Sequence, residues 1–221
     1  MSQVSTLEQL PNEVFRDYDI RGLAYTQITA EFAARLGAAL AIMFKGKNHN
    51  AIYLGRDCRL NSEDLSIALC QGLLNQGMDV IDLGAVSTPV VNYSIHCGDQ
   101  ADLGIMITAS HNPKQYNGFK IVIRDEVIDG DTLQKLKQLM HLPSPKPAQM
   151  GQLKTVDMTK SYLDAITQNC NAKTQFKIVV DAGNAVAGPL AAQLFTQLGY
   201  DFTPIFCTPD GEFPNHDPNP S

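Results

Sequence analysis

Leu103-Gly104-Ile105-Met106-Ile107-Thr108-Ala109-Ser110-His111-Asn112-Pro113, running on to Tyr116-Asn117-Gly118-Phe119-Lys120-Ile121-Val122-Ile123, is the stretch whose reading decides the fold. Its apolar ends, Leu103 to Ile107 and Gly118 to Ile123, read as strands flanking a ten-residue polar turn. The first strand delivers a serine to the edge of a sheet, where α/β proteins place ligands, and His-Asn-Pro then forces the chain to turn. Ser110 is therefore a candidate reactive hydroxyl, or else a turn serine that caps a backbone NH. A hydrolase elbow fits poorly, because it needs glycine at positions that Thr108 and Asn112 hold here.

Working outward, short apolar runs alternate with longer helical patterns, the signature of an α/β chain. Thr29 is placed to cap a helix that presents Phe32, Ala33, Leu36, Leu40, Met43 and Phe44 on one face. Strand Ala51 to Leu54, helix Ser62 to Asn75, strand Val80 to Leu83 and helix Thr88 to His96 lead into the central stretch. A helix from Asp131 to Met140 follows it. Residues 1–150 are expected to form a three-layer α/β/α domain with a mixed sheet. Residues 142–150 carry three prolines and read as a semi-rigid connector. Residues 151–221 give helix Met158 to Asn169, strand Lys177 to Val180, helix Ala187 to Leu198 and strand Tyr200 to Phe206, most simply a βαβ unit. Two strands are too few to hide both sheet faces, so this second α/β domain, of similar type, is expected to be incomplete.

With 221 residues, 44% hydrophobic and 18% charged, the chain is neither disordered nor collagen-like. Its longest apolar stretch, Ala38 to Phe44, falls short of the roughly 20 residues of a membrane span. The formal net charge of −6 offers no general attraction to nucleic acid or anionic lipid, so an anionic ligand needs a local basic site. Five cysteines without a CxxC pair fit neither a disulfide framework nor a zinc knuckle. Free thiols in the cytoplasm are expected.

Thr108 to Pro113 together with Tyr116 to Lys120 resembles the active-site serine loop of the α-D-phosphohexomutases, whose serine carries a phosphoryl group. Three further stretches agree with that resemblance. Phe15-Arg16-Asp17-Tyr18-Asp19-Ile20-Arg21-Gly22 resembles the family's N-terminal motif, and Gly55-Arg56-Asp57-Cys58-Arg59 its second. Pro209-Asp210-Gly211-Glu212-Phe213-Pro214-Asn215-His216 resembles its domain 2 segment. The bacterial phosphomannomutase/phosphoglucomutase branch fits best, and the phosphoglucosamine mutase branch less well, since its first motif reads closer to FGTDGIRG.

The resemblance implies a mutase that moves a phosphoryl group between hydroxyls of one hexose, through a phosphoserine and a bisphosphorylated sugar. It makes Ser110 the phosphoryl carrier, Lys120 the general acid/base and Arg21 the active-site arginine, with Tyr18, His111 and Asn112 lining the sugar site. Mg²⁺ is the implied cofactor, reached here only through the phosphoryl group on Ser110. Such a lysine must lose a proton near neutral pH, which partial burial or a cation such as Arg21 would assist. Each residue also has a plainer role open to it: a solvated strand end for Lys120, an ion pair with Asp17 or Asp19 for Arg21, a turn position for His111.

Two look-alikes fail on their neighbours. Gly183 to Gly188 follows a strand as a phosphate loop does, yet Pro189-Leu190 stand where Lys-Ser/Thr is required. Asp129-Gly130-Asp131 resembles the start of the family's DGDxDR metal loop, but Thr132 and Leu133 follow, and a helix cap explains it better. The metal loop, the sugar-specificity loop and the phosphate-clamping loop are all expected beyond Ser221. By itself the chain is then an inactive N-terminal piece whose partners are a phosphosugar and the remaining domains of the same protein. A stand-alone phosphosugar-binding module without catalysis is the alternative from another class.

Overall fold

The computed structural model describes residues 10–219 apart from 46, 48, 144–146, 148 and 171–175. Part of the proline-rich connector therefore lies outside the described residues. Six strands form one mixed sheet: β1 (Ile20–Leu23), β2 (Ala51–Arg56), β3 (Asp79–Ala85), β4 (Leu103–Ile107), β5 (Tyr116–Ile123) and β6 (Leu153–Thr155). Their spatial order is β1-β5-β4-β2-β3-β6. The strands β4, β2, β3 and β6 run parallel, because helices α2 (Ser62–Leu74) and α3 (Thr88–Cys97) carry the chain back across the sheet. The turn of the serine loop makes β5 antiparallel to β4, and β1 closes that edge antiparallel to β5.

Period-two alternation divides the side chains between two faces. Ile52, Leu54, Ile105, Ile107 and Phe119 join the core beneath α1 (Ala30–Lys45), α2 and α4 (Gly130–Met140). Tyr53, Ile81 and Met106 point the other way, against Val90, Val91 and Ile95 of α3. Helix starts follow local chemistry: Thr29 Oγ1 accepts from the Phe32 amide at 3.1 Å, and Asp129 accepts from the Thr132 amide at 2.8 Å. Asp129 is thus a helix cap, as expected of it.

Past the connector, α5 (Thr159–Asn169), β7 (Ile178–Asp181), α6 (Ala187–Gln197) and β8 (Phe202–Ile205) make a second α/β unit. Its two strands pair in parallel, and Val179 on the open sheet stays 66% exposed, as a partial domain requires. Two strands escape the sequence reading. β1 is four residues long and includes Arg21 and Gly22, so no apolar run marks it. β6 has three residues, all exposed, and is paired only with β3 in the sheet. It lies after residue 150, so the six-stranded sheet runs beyond the connector.

Candidate active site

The carboxyl ends of the parallel strands converge on one cleft of about 400 Å³. Asp57 and Cys58 enter it after β2, Ser87 and Thr88 after β3, and Thr108 and Ser110 after β4. The opposite wall comes from the second unit: Asp181 and Gly183 at the end of β7, with Phe213 and His216 from the 209–216 segment. Such a crevice at strand carboxyl ends is where an open α/β sheet binds ligands.

Ser110 stands at the exposed apex of the serine loop with φ of +57°, a left-handed conformation uncommon for a residue with a Cβ. Its amide donates to Thr108 Oγ1 at 2.9 Å, and its Oγ lies 3.3 Å from His111 Nδ1. A conformation of this kind persists only where the surroundings impose it. Here Arg59 does so. Its Nη2 donates to the carbonyls of Ser110 (3.0 Å) and Asn112 (2.7 Å), its Nη1 to those of Pro113 (2.9 Å) and Tyr116 (3.1 Å). Nε donates to Asp57 Oδ2 at 3.2 Å, and Asp57 Oδ1 accepts in addition from the Arg59 amide and from Ser62 Oγ. Burial pulls the Arg59 guanidinium below its ordinary value, and the Asp57 charge opposes that shift. Below the loop, Asn117 is fully buried and donates to Asn61 Oδ1 (2.7 Å) and Ser62 Oγ (2.9 Å).

Register explains how the other expected residues meet. Lys120 pairs with Met106 across β5 and β4, and Arg21 pairs with Gly118 across β1 and β5. Directly paired residues share a face, so Arg21 and Lys120 stand on the same side of the sheet as Met106, which lines the cleft. Arg21 Nη1 donates to Asn112 Oδ1 at 2.6 Å, while Nη2 is bound to Asp19. Lys120 Nζ lies 4.0 Å from the same Asp19 oxygen. The charge that the structure sets beside Lys120 is therefore a carboxylate already paired with Arg21. Arg21 does pair with Asp19, but buried, at 8% and 3% side-chain exposure, rather than on the surface. Tyr18 is 67% exposed, and His111 is exposed beside Ser110. Of the six expected site residues, Ser110, His111, Asn112, Arg21 and Lys120 are tied together by these contacts. Tyr18 adjoins them only through Asp19.

The second unit contributes one ion pair to the cleft wall. His216 Nε2 lies 3.2 Å from both oxygens of Asp181, and His216 Nδ1 lies 2.8 Å from the Asp217 carbonyl. The backbone contact with Asp217, followed by the Asp181 carboxylate, raises the imidazole above its ordinary value. The Gly183 amide and then His216 hold Asp181 below the usual carboxylate range. Sequence reasoning missed Arg59 and this pair. Arg59 sat inside a quoted motif, and its spacing from Asp57 was the one visible signal.

Among the described residues no three His, Cys, Asp or Glu side chains converge as a metal site would require. The described residues hold no complete cation site of their own. None of the chemistry proposed for this chain runs through Mg²⁺.

Comparison with known proteins agrees with this architecture. Residues 12–143 match the family model for phosphoglucomutase/phosphomannomutase, alpha/beta/alpha domain I, and residues 160–221 match that for domain II. A phosphomannomutase/phosphoglucomutase of Pseudomonas aeruginosa is 38% identical over 211 residues, covering 96% of this chain and 45% of that protein. A phosphoglucomutase of Neisseria meningitidis serogroup B is 35% identical over 218 residues, covering 97% and 47%. The crystal structure of a phosphoglucomutase/phosphomannomutase family protein from Burkholderia thailandensis superposes with a TM-score of 0.87 at 36% identity, covering 94% of this chain and 47% of that one. The chain spans about half the length of the curated relatives it matches. With both domain models matched in order, and the serine loop and the 209–216 segment meeting at one cleft, the chain belongs to the phosphoglucomutase/phosphomannomutase family.

Proposed function

We propose that this chain supplies the phosphoserine half of an intramolecular phosphotransferase that interconverts hexose 1-phosphate and hexose 6-phosphate, of mannose and of glucose. Residues 1–150, with β6 joining their sheet from beyond the connector, form its first domain, and the residues after β6 the beginning of its second. The observation that carries the reading is Ser110 itself: a hydroxyl at a strained, clamped loop apex, open to the cleft, with two cations on the same sheet face.

The chemistry needs few groups. The phosphoryl group leaves Ser110 Oγ for a sugar hydroxyl as the serine P–O bond breaks and a new P–O bond forms. Lys120 takes the proton of the attacking hydroxyl. Ser110 Oγ takes that proton from Lys120 as it leaves; in the return step Lys120 removes it again as Ser110 attacks the other phosphoryl group of the bisphosphorylated sugar, and gives it to the sugar oxygen that is released. Arg21, held by Asp19 and Asn112, presents its guanidinium to phosphate oxygens. Tyr18, His111 and Asn112 border the sugar. Mg²⁺ would add charge neutralisation at the phosphoryl oxygens, with its carboxylate ligands supplied from outside these 221 residues. We place the enzyme in the cytoplasm, joined to the rest of its own polypeptide, with a phosphosugar as substrate.

A coupled assay of glucose 6-phosphate formation from glucose 1-phosphate tests the reading, with the complete parent protein, a hexose bisphosphate activator and Mg²⁺. Turnover that is lost in Ser110→Ala is expected. Turnover unchanged by that substitution would overturn the assignment.

A further inference from the structure

The five N–H donors of Arg59 are all used within the protein. One meets Asp57, and four meet the carbonyls of Ser110, Asn112, Pro113 and Tyr116. None is left for a phosphate oxygen, so this buried cation, with a side chain 1% exposed, does not serve as a substrate ligand. What remains of the guanidinium is its flat face, and the second unit reaches it there. The Phe213 ring centroid lies 5.4 Å from Arg59 Cζ.

The segment that carries Phe213 is seated closely. A Cβ at Gly211 would stand 2.4 Å from the Cys58 carbonyl oxygen and 3.1 Å from Arg59 Cα, so only glycine permits this approach. Cys58 Sγ donates to the Asn184 carbonyl at 3.4 Å, and Asn184 Nδ2 donates to the Thr208 carbonyl at 2.9 Å, tying the same seat to the loop after β7. Phe213 itself has φ of +50°, a costly conformation for a bulky side chain, and it places the ring against Arg59.

We propose that Arg59 is a positioning residue that transmits the seating of the 209–216 segment to the Ser110 loop. A shift of the second unit displaces Phe213 and Gly211, and the rigid fork passes that displacement to four carbonyls around the serine. The orientation of Ser110 is thereby coupled to the placement of the second domain. The functional consequence rests on Ser110 being the phosphoryl carrier; the mechanical coupling does not.

Hydrogen exchange of the 221-residue chain, read by mass spectrometry on peptides covering 108–116, separates the possibilities. Phe213→Leu keeps apolar bulk and removes the ring face. It is expected to speed exchange of the Ser110, Asn112 and Tyr116 amides by roughly tenfold, while peptides of β2 and α1 stay at wild type. Arg59→Lys, with one nitrogen in place of a fork, is expected to do the same or more. Glu212→Gln breaks only the exposed pair with Lys114 and is the control, expected to change exchange by less than about twofold. Two outcomes overturn the coupling: Phe213→Leu leaving 108–116 unchanged, whatever it does to residues 181–216, or Glu212→Gln loosening the loop equally. Should Arg59→Lys fail to fold, Phe213→Leu decides. Phosphate uptake by Ser110 from a hexose bisphosphate, measured on the complete parent protein, tests the carrier reading separately. Its absence from the wild type would remove that reading and leave the exchange result to judge the coupling.

Discussion

Lys120 Nζ stands 4.0 Å from Oδ2 of Asp19, a carboxylate 3% exposed that also binds Arg21. One buried anion thus stands beside both the arginine assigned to the phosphoryl group and the lysine assigned to the proton, and their spacing depends on it. Removing one partner of a buried pair leaves an uncompensated charge, which costs about 3–5 kcal/mol. Asp19→Asn is therefore expected to lower the urea-unfolding free energy of the chain by about 3 kcal/mol. A loss below about 1 kcal/mol would show that the Arg21 pair is solvated instead.

Lys120 itself is the assigned proton carrier. Lys120→Met keeps the stem and removes the ammonium, so the parent mutase is expected to lose roughly 10²-fold in kcat, with an unchanged circular dichroism spectrum. Near wild-type kcat would reduce Lys120 to a strand-end charge.

His216 should titrate above its ordinary imidazole value, from the Asp217 carbonyl contact first and the Asp181 carboxylate second. Because the folded value is raised, its contribution to stability is fully present below the unfolded value near 6.5 and is lost as pH rises through the folded one. NMR titration of the His216 ring protons is expected to show the raised value, moving partway back in Asp181→Asn. A His216 titration that Asp181→Asn leaves in place would mean the pair contributes nothing.

The thiols make a second chemical check. Burial, with the charge of Asp82 added, pushes Cys70 up to about 11, and burial with Asp57 raises Cys58, whereas Cys97 is exposed. Thiolate is the reactive form, so iodoacetamide at pH 8 is expected to label Cys97 well before Cys58 and Cys70. Labelling of Cys58 at the rate of Cys97 would contradict the closed contact between the Asp57 loop and the second unit.

The mixed sheet and the serine loop were legible because strong signals coincide there: apolar runs such as Leu103 to Ile107, the Thr29 and Asp129 caps, and the proline after Asn112. β1 and β6 were not, because their pairing is tertiary; Ile20 to Leu23 becomes a strand by lying against β5, and Leu153 to Thr155 by lying against β3. The site shows the same division. Ser110, Lys120 and Arg21 sit in recognisable motifs, whereas the role of Arg59 follows from four carbonyls brought to it from 51 to 57 residues away. No spacing rule encodes that convergence. The buried Asp19 anchor was likewise visible only as one acid in a polar motif.

The central claim is that Ser110 carries the phosphoryl group. The parent protein can be incubated with a hexose 1,6-bisphosphate and digested, and its peptides mapped by mass spectrometry. One phosphate on the peptide spanning 108–113, absent from Ser110→Ala, is the result this account predicts. Phosphate found only on other residues, or retained in Ser110→Ala, would contradict it.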